Sequence, residues 1–166
     1  MDLSLSDEQK QLQESAERFA REKYTFENRR KIVASERGWL PENWAQFAEL
    51  GWLGMSFSEE DGGYGGGPIE TMIVMEQFGK GLVLEPFLPT VVLGGGMIAR
   101  AGSADQKAAL LAPMIEGKKQ FAFAWLERQS RYNLADVSLK ATKEGNGWSL
   151  SGHKGVVYVA EGAAGR

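Results

Sequence analysis

Residues 103–126 read SADQKAALLAPMIEGKKQFAFAWL, and the chain changes character within this stretch. The first four residues form a capping box, in which the Ser103 hydroxyl accepts from the third helical N–H and Gln106 reaches back to Ser103, so a helix begins there. Pro113 is expected to kink or end that helix, and Gly117 coincides with its end. Beyond residue 118, short runs rich in Val, Tyr, Trp and Phe are separated by Gly and Asn and predict strands.

The residues before this stretch follow a helical pattern that Gly and Pro interrupt. Ser6 to Gln9 form another capping box, and residues 27–35 predict a second, more solvated helix. Pro41 suits the first turn of a third helix, which Gly51 can end. The pattern predicts about six helices before Gly117.

Two of these predicted helices are rich in apolar residues. One begins at Pro68 and ends near Gly79, and its buried side is expected to carry Ile69, Met72, Ile73 and Met75. The other is a very apolar segment that begins at Pro89 and runs to Ala101.

Strands are predicted at about 120–126, 137–143 and 147–159, with a turn at Ser151–Gly152 that can divide the last. Three strands do not close a stable sheet well, so the chain is expected to stop inside a β domain. The predicted fold class is α+β: an all-helical domain over residues 1–118, followed by an incomplete antiparallel β domain over residues 119–166.

Composition excludes several classes of protein. The 166 residues are 43% hydrophobic and 25% charged with a net charge of −3, as expected of a soluble globular chain without the basic face of a nucleic-acid binder. With no Cys and one His, disulfides, thiolate sites and multi-histidine metal sites are excluded, and a reducing cytoplasm is indicated. No signal peptide or membrane-spanning segment is predicted.

Several short stretches resemble nucleotide- or metal-binding motifs but lack the neighbouring residues or strands that those motifs require. Gly94, Gly96 and Ala99 have the spacing of a dinucleotide loop, but no strand pattern surrounds them, and a helix whose glycines permit close packing is favoured. The glycine run 62–67 lacks the Lys-Ser/Thr of a phosphate loop, and the acids 59–61 diverge too much for a metal site. Trp125, beside Glu127 at the start of the β region, remains a candidate functional residue.

The order and spacing of short landmarks resemble the acyl-CoA dehydrogenase family over the whole chain. These landmarks are LSDEQ at 5–9, ELGWLG at 49–54, EEDGGYG at 59–65, GS at 102–103, QK at 106–107, LAP at 111–113, Gly117, FAWLE at 123–127 and WSLSGHK at 148–154. Family members are more than twice as long, with a helical, a β and a second helical domain. The resemblance implies FAD-dependent oxidation of an acyl-CoA thioester to its trans-2-enoyl form.

The resemblance also implies site residues. Typical members carry a Thr-Glu-Pro turn and a following Gly-Ser that hold the flavin and the acyl-CoA, whereas this chain has Leu126–Glu127–Arg128 and Arg131–Tyr132. Val156–Val157–Tyr158 match a Trp-Ile-Thr stretch that flanks the flavin. The implied flavin-binding residues are Phe123, Trp125, Leu126, Glu127, Val157 and Tyr158, and the implied substrate-binding residues are Arg131 and Tyr132.

Residues 127–137, ERQSRYNLADV, are most similar to the small subunit of pimeloyl-CoA dehydrogenase, in a branch of the family that works as complexes of unlike subunits. The implied partners are acyl-CoA, a homologous large subunit or a second copy, and electron-transfer flavoprotein as acceptor. The catalytic carboxylate of such enzymes belongs to a C-terminal part that this chain does not contain, so no catalytic residue and no metal ligand is assigned. A structural subunit without its own active site is the alternative, because Leu126 lacks a hydroxyl and Arg131 and Tyr132 add bulk.

Overall fold

Six α-helices and one two-stranded hairpin make up the described part of the chain, residues 4–158 of a computed structural model. The helices are α1 (Asp7–Lys23), α2 (Phe26–Val33), α3 (Pro41–Glu49), α4 (Pro68–Gly81), α5 (Gly96–Ala101) and α6 (Ala104–Ile115). A 3₁₀ turn (Glu59–Asp61) precedes α4, and a π-helix (Leu88–Gly95) continues into α5. Strands β1 (Lys140–Glu144) and β2 (Gly147–Ser151) pair antiparallel. The predicted fold class, a helical domain followed by a small antiparallel β unit, is confirmed.

The helix starts lie where local capping chemistry predicts them. In the first capping box the Gln9 N–H donates to Ser6 Oγ at 3.2 Å and the Ser6 N–H donates to Gln9 Oε1 at 3.0 Å. The same pair of bonds joins Ser103 and Gln106 at the start of α6. Pro113 lies inside α6, which ends two residues later at Ile115, before Gly117 adopts a positive φ of 75°.

An aromatic cluster forms the centre of the helical core. The Phe47 ring is fully buried and stacks on Phe78 with 4.8 Å between ring centroids. Phe19, Trp52 and Phe87 also lie within 6.5 Å of the Phe47 ring centroid. Rings from α1, α3, α4 and the connecting loops therefore meet at one point and hold the helices together.

The buried face of α4 differs from the predicted one. Ile73 is buried and Met75 is half-buried against the core, but Ile69 and Met72 are exposed. The buried stripe contains Ile73, Val74, Gln77 and Phe78. Because successive residues turn by about 100° around a helix, Met72 lies on the side opposite this stripe. Ile69, one turn before Ile73, lies beside the stripe in the first turn of α4 and is 49% exposed there.

The predicted strand at 120–126 is wrong. These residues form no ladder, and Phe121 is instead bonded to the π-helix, its N–H donating to Thr90 Oγ1 at 3.2 Å and its C=O accepting from the same hydroxyl at 3.1 Å. The alternating pattern was present, but no strand in the described part lies beside the segment. The strand predicted at 137–143 is confirmed with shifted limits, and the one predicted at 147–159 is confirmed only as far as Ser151. Residues 153–158 form no strand, so that part of the prediction is wrong. Residue 159, where the last predicted strand ended, lies outside the described residues.

Gly94 and Gly96 lie in the π-helix and α5, so the dinucleotide-loop alternative is wrong. A Cβ on Gly94 would lie 2.6 Å from the Phe121 Cβ, which confirms that close packing at this position requires glycine.

The loop at 62–67 also needs its glycines, and Gly63 provides a test. A Cβ there would lie 2.3 Å from the Phe57 carbonyl oxygen and 2.6 Å from that of Gly54. We expect Gly63→Ala to lower the free energy of unfolding by about 1–3 kcal/mol, because backbone must move. Gly79→Ala is the control: it meets nothing within 4 Å in α4, and we expect a gain of about 0.5–1 kcal/mol. Urea unfolding measures both, and equal effects would contradict the packing argument.

A buried polar cluster surrounds Glu85, in the loop before the π-helix. The carboxylate accepts from the Tyr24 hydroxyl, from Asn43 Nδ2 at 3.0 Å and from the Leu40 N–H at 3.3 Å. Burial, followed by the neighbouring Glu85 carboxylate, raises the pKa of Tyr24 well above its usual value. The Tyr24 hydroxyl therefore stays protonated and donates, which joins the end of α1 and the start of α3 to this loop.

Candidate functional site

The segment 120–127 leaves the helical domain as extended chain and carries most of the predicted flavin-binding residues. Phe123 and Leu126 are half-buried, and Trp125 is 38% exposed. Within residues 4–158, the main-chain N–H and C=O groups of Ala122, Phe123 and Ala124 have no hydrogen-bond partner. The segment therefore presents free main-chain donors and acceptors beside an accessible aromatic ring.

Glu127 ends this segment and is the most heavily bonded side chain of the region. Its side chain is 1% exposed, and one oxygen accepts from Lys154 Nζ at 2.6 Å and from the Leu139 N–H at 3.2 Å. The other oxygen accepts from the Ser138 N–H at 2.7 Å, the Ser138 hydroxyl at 2.5 Å and Gln129 Nε2 at 2.6 Å. Five donors on two oxygens leave this carboxylate no room for an external ligand.

These donors also determine the charge state of Glu127. The Lys154 ammonium, the Ser138 hydroxyl, the Gln129 amide and the Ser138 main chain, in that order, hold the pKa of this carboxyl far below its usual value. The Glu127 carboxylate is therefore ionised at neutral pH, and it is a structural ion rather than a group that exchanges protons during catalysis.

The shifted pKa of Glu127 predicts an acid-dependent loss of stability. Because its pKa is lower in the folded than in the unfolded chain, its contribution to stability is complete above about pH 4.5. It declines progressively as the pH falls from there toward the lower pKa of the folded chain. We expect Glu127→Gln to unfold at lower urea concentration than the wild type at about pH 7, with a difference that shrinks from about pH 4.5 to about pH 3. The control is Glu144→Gln, an exposed residue of β1. A pH-independent difference for Glu127→Gln would contradict the assignment.

A tight turn follows Glu127 and displays the predicted substrate-binding residues. The Ser130 hydroxyl donates to the Glu127 C=O at 2.8 Å and accepts from the Glu127 N–H at 3.3 Å. Arg131 has a positive φ of 45°, and Tyr132 is fully exposed. Within the described part of the chain, neither side chain forms a hydrogen bond or an ion pair. Both are therefore free to meet a ligand or another subunit.

A second segment, 153–158, lies against the first. The Gly155 N–H donates to the Leu126 C=O at 2.9 Å, and Lys154 Nζ lies 3.4 Å from the Trp125 C=O. The structure thus brings Trp125, Leu126 and Glu127 together with the residues directly before Val157 and Tyr158. Val157 is half-buried, and Tyr158 is 60% exposed without a hydrogen bond inside residues 4–158.

Sequence reasoning missed Lys154, Ser138 and Gln129, the side chains that surround the Glu127 carboxylate. His153, the neighbour of Lys154 and the one histidine of the chain, is exposed. Lys154 lies 27 residues from Glu127, and nothing in the local pattern connects them. A buried carboxylate requires a cation or several donors, so identifying Glu127 as buried would have prompted a search for Lys154.

The segment 122–126 has the kinds of groups that a flavin ring requires. A flavin ring has an apolar face that can contact an aromatic side chain and a polar edge that pairs with main-chain groups. Trp125 has an accessible aromatic face, and residues 122–124 have unpaired main-chain groups, so groups of both kinds are present. No side-chain hydroxyl is offered at Leu126, and the Glu127 carboxylate is already saturated.

The described residues contain neither a metal-binding cluster nor a membrane-spanning helix. Among residues 4–158, no three His, Asp or Glu side chains are placed to hold a metal ion, and Asp61 instead pairs with Lys107 at 3.3 Å. Over the same residues, no helix is long and apolar enough to cross a membrane.

Comparison with known families adds an independent finding. The family model described as "Acyl-CoA dehydrogenase, N-terminal domain" matches residues 6–118. The acyl-CoA dehydrogenase FadE12 of Mycobacterium tuberculosis is 34% identical over 116 residues, which is 68% of this chain and 29% of that protein. Mitochondrial isovaleryl-CoA dehydrogenase of Bos taurus is 31% identical over 152 residues, or 90% of this chain and 36% of that protein.

The fold is shared with a solved structure named "Tcur3481-Tcur3483 steroid ACAD G363A variant". The TM-score is 0.86 at 30% sequence identity, over 97% of this chain and 44% of that chain. The chain therefore spans less than half of the length of each of these relatives, from 29% to 44%.

Proposed function

Because the chain belongs to the acyl-CoA dehydrogenase family, we propose that it forms part of an FAD-dependent acyl-CoA dehydrogenase subunit that desaturates an acyl-CoA thioester between its α and β carbons. In this proposal residues 1–118 are the helical N-terminal domain and residues 119–166 the first part of the β middle domain. The enzyme acts in the cytoplasm, with electron-transfer flavoprotein as its electron acceptor. The resemblance of residues 127–137 supports a small subunit of the pimeloyl-CoA dehydrogenase type.

The observation that carries the proposal is the extended segment 122–126, which combines unpaired main-chain groups at residues 122–124 with the accessible ring of Trp125. It is held at one end by the Phe121–Thr90 pair and at the other by the bond from the Gly155 N–H to the Leu126 C=O. A fixed strip with unpaired main-chain groups is suited to binding a planar, polar-edged ring, because the donors need not reorganise on binding.

Each predicted flavin-binding residue has a part in this proposal. FAD, when bound, supplies hydride-accepting chemistry. Phe123, Trp125 and Leu126 contribute main-chain contacts and apolar surface, and Glu127 fixes the end of the strip. Val157 and Tyr158 flank the ring from the second segment, where the Tyr158 hydroxyl stands in for the threonine hydroxyl of typical members.

Arg131 and Tyr132 are the proposed substrate-side residues. Both are exposed, and the Arg131 guanidinium has no partner in the described part of the chain. A free guanidinium beside an acyl site can pair with a carboxylate at the far end of a dicarboxylic acyl chain or with a CoA phosphate.

The test of this role uses the full-length protein with its partner subunit. We expect the Arg131→Gly/Tyr132→Ser double variant to lose about tenfold more turnover on an ω-carboxylated acyl-CoA than on a plain acyl-CoA of equal length. Arg128→Gly is the matched control, because Arg128 lies three residues before Arg131 and is also exposed. This control should change turnover on the two substrates by the same factor. Equal losses on the two substrates in the double variant would remove the charge-recognition role.

A structural subunit without its own active site remains the second candidate. Two features favour it: Leu126 is apolar where typical family members have a threonine hydroxyl, and the Glu127 carboxylate is buried. Trp148 and Leu150 are both exposed on β2, which suits packing against another domain or subunit. Flavin content per subunit, measured on separated subunits of the purified complex, distinguishes the candidates. Stoichiometric FAD on this subunit supports the enzyme, and its absence supports the structural role.

The chain of 166 residues taken alone is expected to show no dehydrogenase activity and to bind FAD weakly. It spans less than half of its relatives, and a cofactor held by part of its contacts loses most of its affinity. Acyl-CoA-dependent bleaching of flavin bound to this chain would overturn this expectation.

A further inference from the structure

Two carboxylates in the described part of the chain are buried, and neither is used by the chemistry proposed above. Glu85 joins helices of the helical domain, whereas Glu127 takes its donors from three separate stretches of the β region. Those stretches are the turn at Gln129, the approach to β1 at Ser138–Leu139, and the exit from β2 at Lys154. The Glu127 carboxylate therefore connects these three stretches to one another.

The placement of the segment after β2, residues 153–158, depends on the Glu127 contacts. Within residues 4–158, the hydrogen bonds that hold residues 153–158 are those of Lys154 Nζ to Glu127 and to the Trp125 C=O, and that of the Gly155 N–H to the Leu126 C=O. Lys154 makes the shortest of them, 2.6 Å to a carboxylate with 1% exposure. A charge-assisted bond in such surroundings is stronger than a neutral main-chain bond.

The backbone of the same segment is strained at Val156. Val156 has a φ of 50°, in the left-handed region that a β-branched residue avoids. Such a conformation persists only where neighbouring contacts enforce it. The hydrogen bonds closest in sequence to Val156 are those of Lys154 and Gly155. Val157 and Tyr158 follow Val156 directly, so their placement depends on its backbone conformation.

We propose that Glu127 is a positioning residue: through Lys154 it holds the segment 153–158 against the segment 122–126, so that the two flavin-flanking segments keep one relative placement. This inference rests on the proposed function for its flavin, but the coupling of the two segments is a property of this chain alone. Loss of the Glu127–Lys154 pair releases the segment 153–158, relaxes Val156 and misplaces Val157 and Tyr158.

The test compares Glu127→Gln and Lys154→Met with a matched control in the full-length protein. The control is Lys107→Met, because the Lys107–Asp61 pair is also partly buried and lies in the helical domain, away from this region. Hydrogen–deuterium exchange of peptides covering 122–126 and 153–158 is measured without flavin, and the affinity for FAD is measured by titration.

We expect amide exchange over 153–158 to rise about tenfold or more in Glu127→Gln and in Lys154→Met and to stay unchanged in Lys107→Met. FAD affinity should fall about tenfold in the first two variants, and the double variant should be no worse than either alone, because both remove one interaction. Lys154→Arg, which keeps the cation, should restore affinity to within about threefold of the wild type.

Three results would overturn the inference. One is exchange that rises at Ser138–Leu139 but not over 153–158, and another is faster exchange over 153–158 with unchanged FAD affinity. The third is a Lys107→Met variant that weakens FAD binding equally, since general destabilisation would then explain the effect. Should Glu127→Gln not fold, Lys154→Met and Lys154→Arg carry the comparison. A wild-type protein that binds no FAD defeats the proposed function, while the exchange data still decide whether the two segments are coupled.

Discussion

Replacing Phe47 by alanine is expected to lower the free energy of unfolding by about 3–5 kcal/mol, a loss at the upper end for a single side-chain truncation. Phe47 is 0% exposed, and its ring contacts Phe19, Phe78 and Phe87 from three parts of the helical domain. Truncation removes the apolar transfer energy of the ring and leaves a cavity that rigid neighbouring rings cannot fill. Urea unfolding followed by far-ultraviolet circular dichroism measures the change.

The control for this substitution is Phe26→Ala. Phe26 begins α2 and is 74% exposed, and the Arg30 guanidinium carbon lies 5.9 Å from its ring centroid. We expect a change within about 0.5 kcal/mol, as is usual for an exposed position. Comparable losses for the two phenylalanines would show that the core is not organised around Phe47.

A second large loss is expected on replacing Glu85 by methionine. The substitution keeps the side-chain size but leaves the Tyr24 hydroxyl, the Asn43 amide and the Leu40 N–H without their acceptor in a buried site. Each buried donor that loses its partner costs about 1–3 kcal/mol, and we expect a net loss of about 3 kcal/mol or more.

Two further variants show whether the lost acceptor is the cause. Glu85→Gln keeps a carbonyl oxygen for Asn43 and Leu40, so its loss should be about 1 kcal/mol. Glu76→Met removes an exposed carboxylate that pairs with Lys80 at 3.1 Å, and it should change stability by less than about 0.5 kcal/mol. A Glu85→Met protein as stable as Glu76→Met would contradict the role given to this cluster.

Local chemistry made the helical half of the fold predictable. The capping boxes at Ser6 and Ser103 need only residues three positions apart, and both helices begin where they indicate. The packing glycines of the apolar segment after Pro89 were also recognised, because no strand pattern accompanied them. Family membership followed from landmark spacing and is supported by the match over residues 6–118.

Prediction failed where a residue's environment comes from distant parts of the chain. The alternation at 120–126 is a strand pattern, yet the Thr90 hydroxyl, 31 residues from Phe121, takes the hydrogen bonds that a neighbouring strand would have formed. Ile69 and Met72 are as apolar as Ile73, and only the packing of α4 against α1 and the core decides which of them is buried.

The sequence by itself determined the helix starts, the order of the two parts, and the family, since each depends on neighbouring residues or on their spacing. Only the tertiary structure decided that Glu127, expected beside a flavin, turns its carboxylate inward to Lys154 and Ser138. The physical reason is that a carboxylate loses its hydration when it is buried and must replace it with donors. Those donors lie 11 and 27 residues away, so only the folded chain brings them to Glu127.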